Sequence, residues 1–162
     1  MTPLDKRALV QKIIANLDAE LAAYARSARA AHEEATHEQS KAENKYDTRG
    51  LEASYLARGQ SRQATETEEA RRQFEILPLR AFGPGDPIDL GALIDLDVNG
   101  EIIRYFLGPR AGGMEIRIGK DEIIIITPQS PLGAKLVGRK TGGSWTETNS
   151  ARRVEHRIAS VC

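Results

Sequence analysis

From Val10 onward, apolar residues recur at alternating spacings of four and three, at Ile14, Leu17, Leu21, Tyr24, Ala28, Ala31 and Ala35. That is the heptad seam of a coiled coil, and it predicts one helix over residues 4–38. Thr2 and Pro3 supply an N-cap and a first-turn proline, with Asp5 where the helix dipole favours negative charge. Outward along the seam Ile and Leu give way to Ala, so two helices can approach closely there while gaining little from burial. A second helix is expected over residues 47–79, with Leu51, Tyr55, Leu56, Ala64, Ala70, Phe74, Ile76 and Leu77 as its apolar content. Its seam is less regular, and Gly59 costs about 1 kcal/mol in a helix interior relative to Ala. An antiparallel arrangement around a turn near residues 39–46 sets the apolar cluster Phe74 to Leu79 beside Leu9 to Leu17. Arms of this length are roughly 50 Å long at about 1.5 Å per residue.

The pattern then changes. Arg80-Ala81-Phe82-Gly83-Pro84-Gly85-Asp86-Pro87 reads as a helix stop and a connector. Short β-like runs follow at 92–98, 101–107, 114–118 and 122–127, with Asn99-Gly100 a hairpin turn between the first two. Ser130-Pro131 opens a short capped helix over Leu132 to Val137, ended by Gly138, and a final strand falls around Val154 to Val161. These parts predict an α+β chain: a coiled-coil hairpin at 1–79, a linker at 80–90, and at 91–162 a twisted antiparallel sheet with one short helix.

Charge narrows the function. The 162 residues carry 23 basic and 23 acidic side chains, divided thirteen and thirteen through Arg80 and ten and ten after it. Neither half is basic, so long-range attraction to nucleic acid is not the main theme. Cys162 is the only cysteine, which excludes an internal disulfide and a cysteine metal cage. The longest apolar run, Ile123 to Ile126, is far too short to span a bilayer, and the N-terminal residues carry no apolar leader; the expectation is a soluble, unexported, cytoplasmic protein with no membrane partner.

Between His32 and Asp47 the far end of the hairpin gathers Glu33, Glu34, Glu38, Glu43 and Asp47 against Lys41 and Lys45. Solvated surface charge explains five acids on a turn. The functional alternative is a carboxylate group offered to a divalent cation, since hard ions such as Mg²⁺ are commonly held by one or two carboxylates while other partners complete the sphere. His32 and His37 lie five residues apart and diverge by about 140° around a helix, which excludes a zinc-protease helix. Arg26, Arg29, Arg58, Arg62, Arg71 and Arg72 either pair with Glu20, Glu66, Glu68 and Glu69 or touch a partner. Tyr46 either packs the turn or stacks on a base. The glycines at 108–113 and 138–143 lack P-loop spacing and read as turns.

Two segments carry a resemblance. Thr127-Pro128-Gln129-Ser130-Pro131-Leu132-Gly133-Ala134-Lys135-Leu136-Val137-Gly138 resembles the C-terminal domain of the Gre family of bacterial transcript cleavage factors, and Ala42-Glu43-Asn44-Lys45-Tyr46-Asp47 is similar to that family's hairpin tip. The resemblance implies an FKBP-like second domain that docks on RNA polymerase and carries the docking-domain motif Ser130, Pro131, Leu132, Gly133 and Gly138. It implies a hairpin inserted through the polymerase's secondary channel, where tip acids help hold an Mg²⁺ shared with the polymerase active site and orient the water that attacks the nascent RNA 3′ end. The factor is then no enzyme itself and binds no cofactor stably; a monomer is expected. Glu43 is the metal-assisting residue, flanked by Asn44 and Tyr46. The family's Asp three residues earlier is Ser40 here, so Glu38 or Asp47 must substitute if cleavage is stimulated. Without that, the chain is a channel-binding modulator or inhibitor. The FKBP-like fold also raises prolyl isomerase activity, which needs a concave pocket lined by aromatics, against only Phe82, Tyr105, Phe106 and Trp145 in this half.

Overall fold

The structure, a computed structural model, describes residues 3–36 and 49–162. Two helices come first, α1 (Lys6–Thr36) and α2 (Arg49–Glu75); then β1 (Leu93–Val98), β2 (Glu101–Leu107), β3 (Glu115–Ile118), β4 (Asp121–Ile126), α3 (Pro131–Leu136), β5 (Ser144–Asn149) and β6 (Arg152–Val161). The chain divides into two compact units, Ile14–Arg72 and Met1–Ile13 with Gln73–Cys162.

In the helical unit Arg71 Nε donates to Asp18 Oδ1 at 2.5 Å, pairing the early part of α1 with the late part of α2 in the antiparallel order the seam predicts. Among the described residues of this unit the buried ones are Leu17, Ala31, Thr67 and Ala70. Gly59 does not interrupt α2, and a methyl group there would meet nothing within 4 Å.

Three features of the helices differ from the sequence expectation. Asp5 caps α1, while Thr2 lies outside the described residues: the Asp5 carboxylate accepts from Arg7 N at 2.9 Å and its carbonyl from Leu9 N at 3.0 Å. A capping carboxylate satisfies donors that the first turn leaves open. The second helix stops at Glu75 instead of continuing to 79, because Pro78 has no N–H and disfavours α geometry in the residue before it. Ile76 is consequently 66% exposed and only Phe74 of the expected cluster is fully buried. At the start of α1 the expected seam residues Val10 and Leu17 are buried and Ile14 is half-buried, while Leu9 and Ile13, which the seam did not include, are buried deepest.

The second unit is built on a six-stranded sheet in the order β3-β4-β2-β1-β6-β5. It is mixed, not antiparallel: β2 and β4 run parallel, with Arg104 opposite Ile123 and Leu107 opposite Ile126. The composition of β4 explains this placement. Its run of four isoleucines suits a strand covered on both faces, whereas β3, with Glu115 and Arg117 exposed, suits an edge. The β3–β4 hairpin therefore turns β4 inward against β2. Strand β5 is an element the sequence reading did not include.

Register sorts the sheet's faces. On one, Ile94, Leu96, Leu107, Ile126, Ile158 and Val161 pack with Phe82, Ile88 and Leu136. Residues 82 and 88 belong to the Gly/Pro connector, which is pinned by Ile88 N to Arg139 O at 2.8 Å and Gly138 N to Ile88 O at 2.9 Å. On the other, Phe74 reaches Gly108, where an added methyl carbon would lie 2.9 Å from its ring and 3.2 Å from Ile125. Lys6 Nζ donates to Arg80 O at 2.6 Å and Gly91 O at 3.0 Å, and burial lowers its pKa.

Candidate functional site

The tip residues Glu38, Ser40, Glu43, Asn44, Tyr46 and Asp47, together with His37, fall within residues 37–48 and lie outside the described residues. The candidate site visible in the structure is the Ser130-to-Gly138 motif and the side chains around it.

That motif is a capped turn built from the identities of its residues. Ser130 is extended, with φ −68 and ψ 152, and its Oγ accepts from Gly133 N at 3.1 Å while donating to Thr127 O at 2.6 Å. Pro131 occupies the first helical position, where its missing N–H costs nothing. Gly133 lies against the backbone of Thr127 so closely that a Cβ would sit 1.8 Å from the carbonyl oxygen. Gly138 has φ +81, a left-handed conformation natural to the residue just past a helix. Leu136 is fully buried, Leu132 half-buried, and Pro131 and Val137 are exposed. The buried members hold the turn, and Pro131 and Val137 form its exposed side.

Beside α3, Trp145 stacks on His156 with ring centroids 4.8 Å apart and planes at 5°, and the Arg139 guanidinium lies 4.9 Å from the Trp145 centroid. Trp145 Nε1 donates to Glu147 Oε1 at 3.2 Å, and Lys135 pairs with the same carboxylate. His156 Nδ1 is buried without a hydrogen-bond partner, and burial, with Lys135 nearby, lowers its pKa. Packing occupies the aromatics: Phe82 and Phe106 are buried, and Tyr105 and Trp145 lie partly buried against the core.

Of the shaft arginines, Arg71 pairs with Asp18, and Arg72 with Glu69 at 2.6 and 3.0 Å. Arg26, Arg29 and Arg62 are exposed. Among the described residues no group of three or more His, Cys, Asp and Glu side chains gathers where it could hold a metal ion.

Sequence reading missed one charged constellation. Arg104 donates to both oxygens of Asp95 at 2.6 and 3.0 Å and pairs with Asp121 at 3.0 Å, while Ser160 Oγ donates to Asp95 at 3.2 Å. A signal existed: counting outward from the Asn99-Gly100 turn places Asp95 opposite Arg104.

No protein-family model matches the chain, and no curated protein matches it. Solved structures do. That of Thermus aquaticus Gfh1 is 19% identical, covers 93% of this chain and 92% of its own, and superposes with a TM-score of 0.37. The GreA factor homolog 1 (Gfh1) of Thermus thermophilus is 19% identical over 92% of this chain and 94% of its own, with a TM-score of 0.36. The chain is similar to Gfh1. A further structure, described as the transcription factor Gfh1, is 19% identical over 94% of this chain and 92% of its own, with a TM-score of 0.39. At these identities and TM-scores the likeness carries no argument about activity, which rests on the chain's own residues.

Proposed function

We propose that this chain is a transcription elongation factor that binds bacterial RNA polymerase through its secondary channel. The sheet unit docks, and the helical hairpin carries the acidic turn toward the polymerase active site and the nascent RNA 3′ end. The observation that carries this reading is the joint presence, in one chain, of an antiparallel helical hairpin, an acid-rich connection between its arms, and the Ser130-to-Gly138 motif. In this reading Glu43, with Glu38 or Asp47, contributes a carboxylate to the Mg²⁺ held by the polymerase. Two-metal hydrolysis needs carboxylates to fix both ions so that attacking and leaving oxygens are stabilised together. The chemistry belongs to the polymerase, and the factor acts as a cytoplasmic monomer.

Ser40 favours a second version of the same reading, in which the chain occupies the channel as a modulator or inhibitor without promoting cleavage. The test is RNA cleavage in backtracked elongation complexes of the cognate polymerase with Mg²⁺. Shortened transcripts lost in Glu43→Ala support the cleavage factor. Binding without cleavage, with cleavage appearing in Ser40→Asp, supports the modulator. Failure to bind polymerase overturns both.

A further inference from the structure

Strands β2 and β4 are not paired along their whole length. Their parallel register begins at Arg104 and Ile123, so Glu101, Ile102 and Ile103 of β2 extend past the last rung while β4 and its turn continue alongside as Lys120, Asp121 and Glu122. Those six residues line a cleft of about 570 Å³ together with Asp95, Arg104, Ile124 and Ala159.

Several features equip this cleft to receive a guest. On its far side β2 is paired with β1, Asp97 opposite Ile102 and Leu96 opposite Ile103, so the backbone groups of 101–103 that point away from β1 face the cleft. Ile102 is 53% exposed, one of the few large apolar side chains left open. The Arg104 side chain, only 16% exposed, is fixed by Asp95 and Asp121 and forms a rigid polar floor. Beside Asp95 the register of β6 slips, leaving a bulge at Ala159, which also lines the cleft; bulges concentrate at functional edges. The cleft's carboxylates exceed its cations: Glu101, Glu122, Asp121 and Asp95 face Lys120 and an Arg104 already shared between two aspartates.

We propose that the β2–β4 cleft binds an extended, basic segment of a partner protein, which pairs its backbone with Glu101–Ile103 and sets a Lys or Arg against Asp121 and Glu122. Strand periodicity adds a specificity rule. Side chains two residues apart share a face, so an aliphatic residue over Ile102 and a basic residue over Asp121 are separated by one position in the guest. The inference goes beyond the polymerase reading and stands whether or not that reading holds.

The test is a backbone-amide NMR titration of the full chain with a short capped Val/Lys peptide, in which a Val and a Lys lie two residues apart with Thr between them, and with its Val/Glu counterpart. The chain's formal net charge is zero, which limits indiscriminate attraction to either. The proposal expects the Val/Lys peptide to shift amides at 101–104 and 120–122. In Asp121→Lys, that affinity falls about tenfold and the Val/Glu peptide gains. Ile102→Glu, at an exposed position, blocks the apolar contact and provides the check if the Asp121 variant folds poorly. Shifts elsewhere, equal binding of both peptides, affinity unchanged in both variants, or no binding by either peptide would overturn it.

Discussion

Replacing Gly133 with Ala places a methyl carbon 1.8 Å from the Thr127 carbonyl oxygen, far inside van der Waals contact, so α3 must shift or give up its Ser130 cap. The expected cost is about 3 kcal/mol, within the range of backbone clashes and lost caps, measured as a lowered urea midpoint. His156 supplies a pH prediction. Its native pKa lies below the ordinary 6.5 because burial, then Lys135, disfavours the charged ring. As pH falls through that ordinary value the unfolded chain takes up the proton first, so this contribution to stability declines and levels off below the depressed native value. Arg139 over Trp145 and the Lys135 and Glu147 pair face the same stack. His156→Phe keeps a stacking ring and should flatten this part of the pH profile relative to the wild type, followed by the fluorescence of Trp145, the single tryptophan. An unchanged profile contradicts the assignment. The Ser130 cap, Pro131 and Gly138 were legible in the sequence because each has a local conformational requirement. The reason for Gly133 was not, since its obstacle is a carbonyl brought close by the turn itself.

At the level of elements, the long helices were legible and their ends were not. A heptad seam extends over many residues, whereas a cap is a single side chain, and in the sequence Asp5 stands out only as a charge favourable to the helix dipole. Removing the observed cap with Asp5→Ala should cost about 1 kcal/mol, seen as a lower thermal midpoint. Conversely, Gly59→Ala should stabilise the helical unit by about 1 kcal/mol, because α2 passes through that position with open space around it. No gain in thermal midpoint would show that Gly59 does not carry helical geometry in solution. Strand β5 escaped notice for a specific reason: its hairpin to β6 turns through Ser150 at φ +47 and Ala151 at φ +68. Left-handed turn positions normally announce themselves as Gly or Asn, as Asn99 and Gly100 do, and these two residues give no such signal. The parallel pairing of β2 and β4 was hidden similarly, because a segment as short as 108–114 suggests a neighbouring antiparallel strand, while the isoleucines of β4 claim the covered position.

For the whole molecule, the sequence divides into a helical part and a strand part, whereas the two compact units are bounded inside the helices, with Met1–Ile13 and Gln73–Cys162 in one and Ile14–Arg72 in the other. The candidate site was legible only where a motif is also a structural necessity, as in Ser130 to Gly138. The acidic turn is legible as composition, and its role depends on what it meets inside a partner. The central claim is that this turn reaches a polymerase active site, and site-specific photo-crosslinking tests it most directly: a photoreactive amino acid at position 43, in a complex of the chain with cognate elongating RNA polymerase. The account predicts crosslinks to the catalytic Mg²⁺-binding region of the polymerase or to the RNA 3′ end, more of them in backtracked complexes. Crosslinks confined to the polymerase exterior, or none in a complex shown to form, would contradict it.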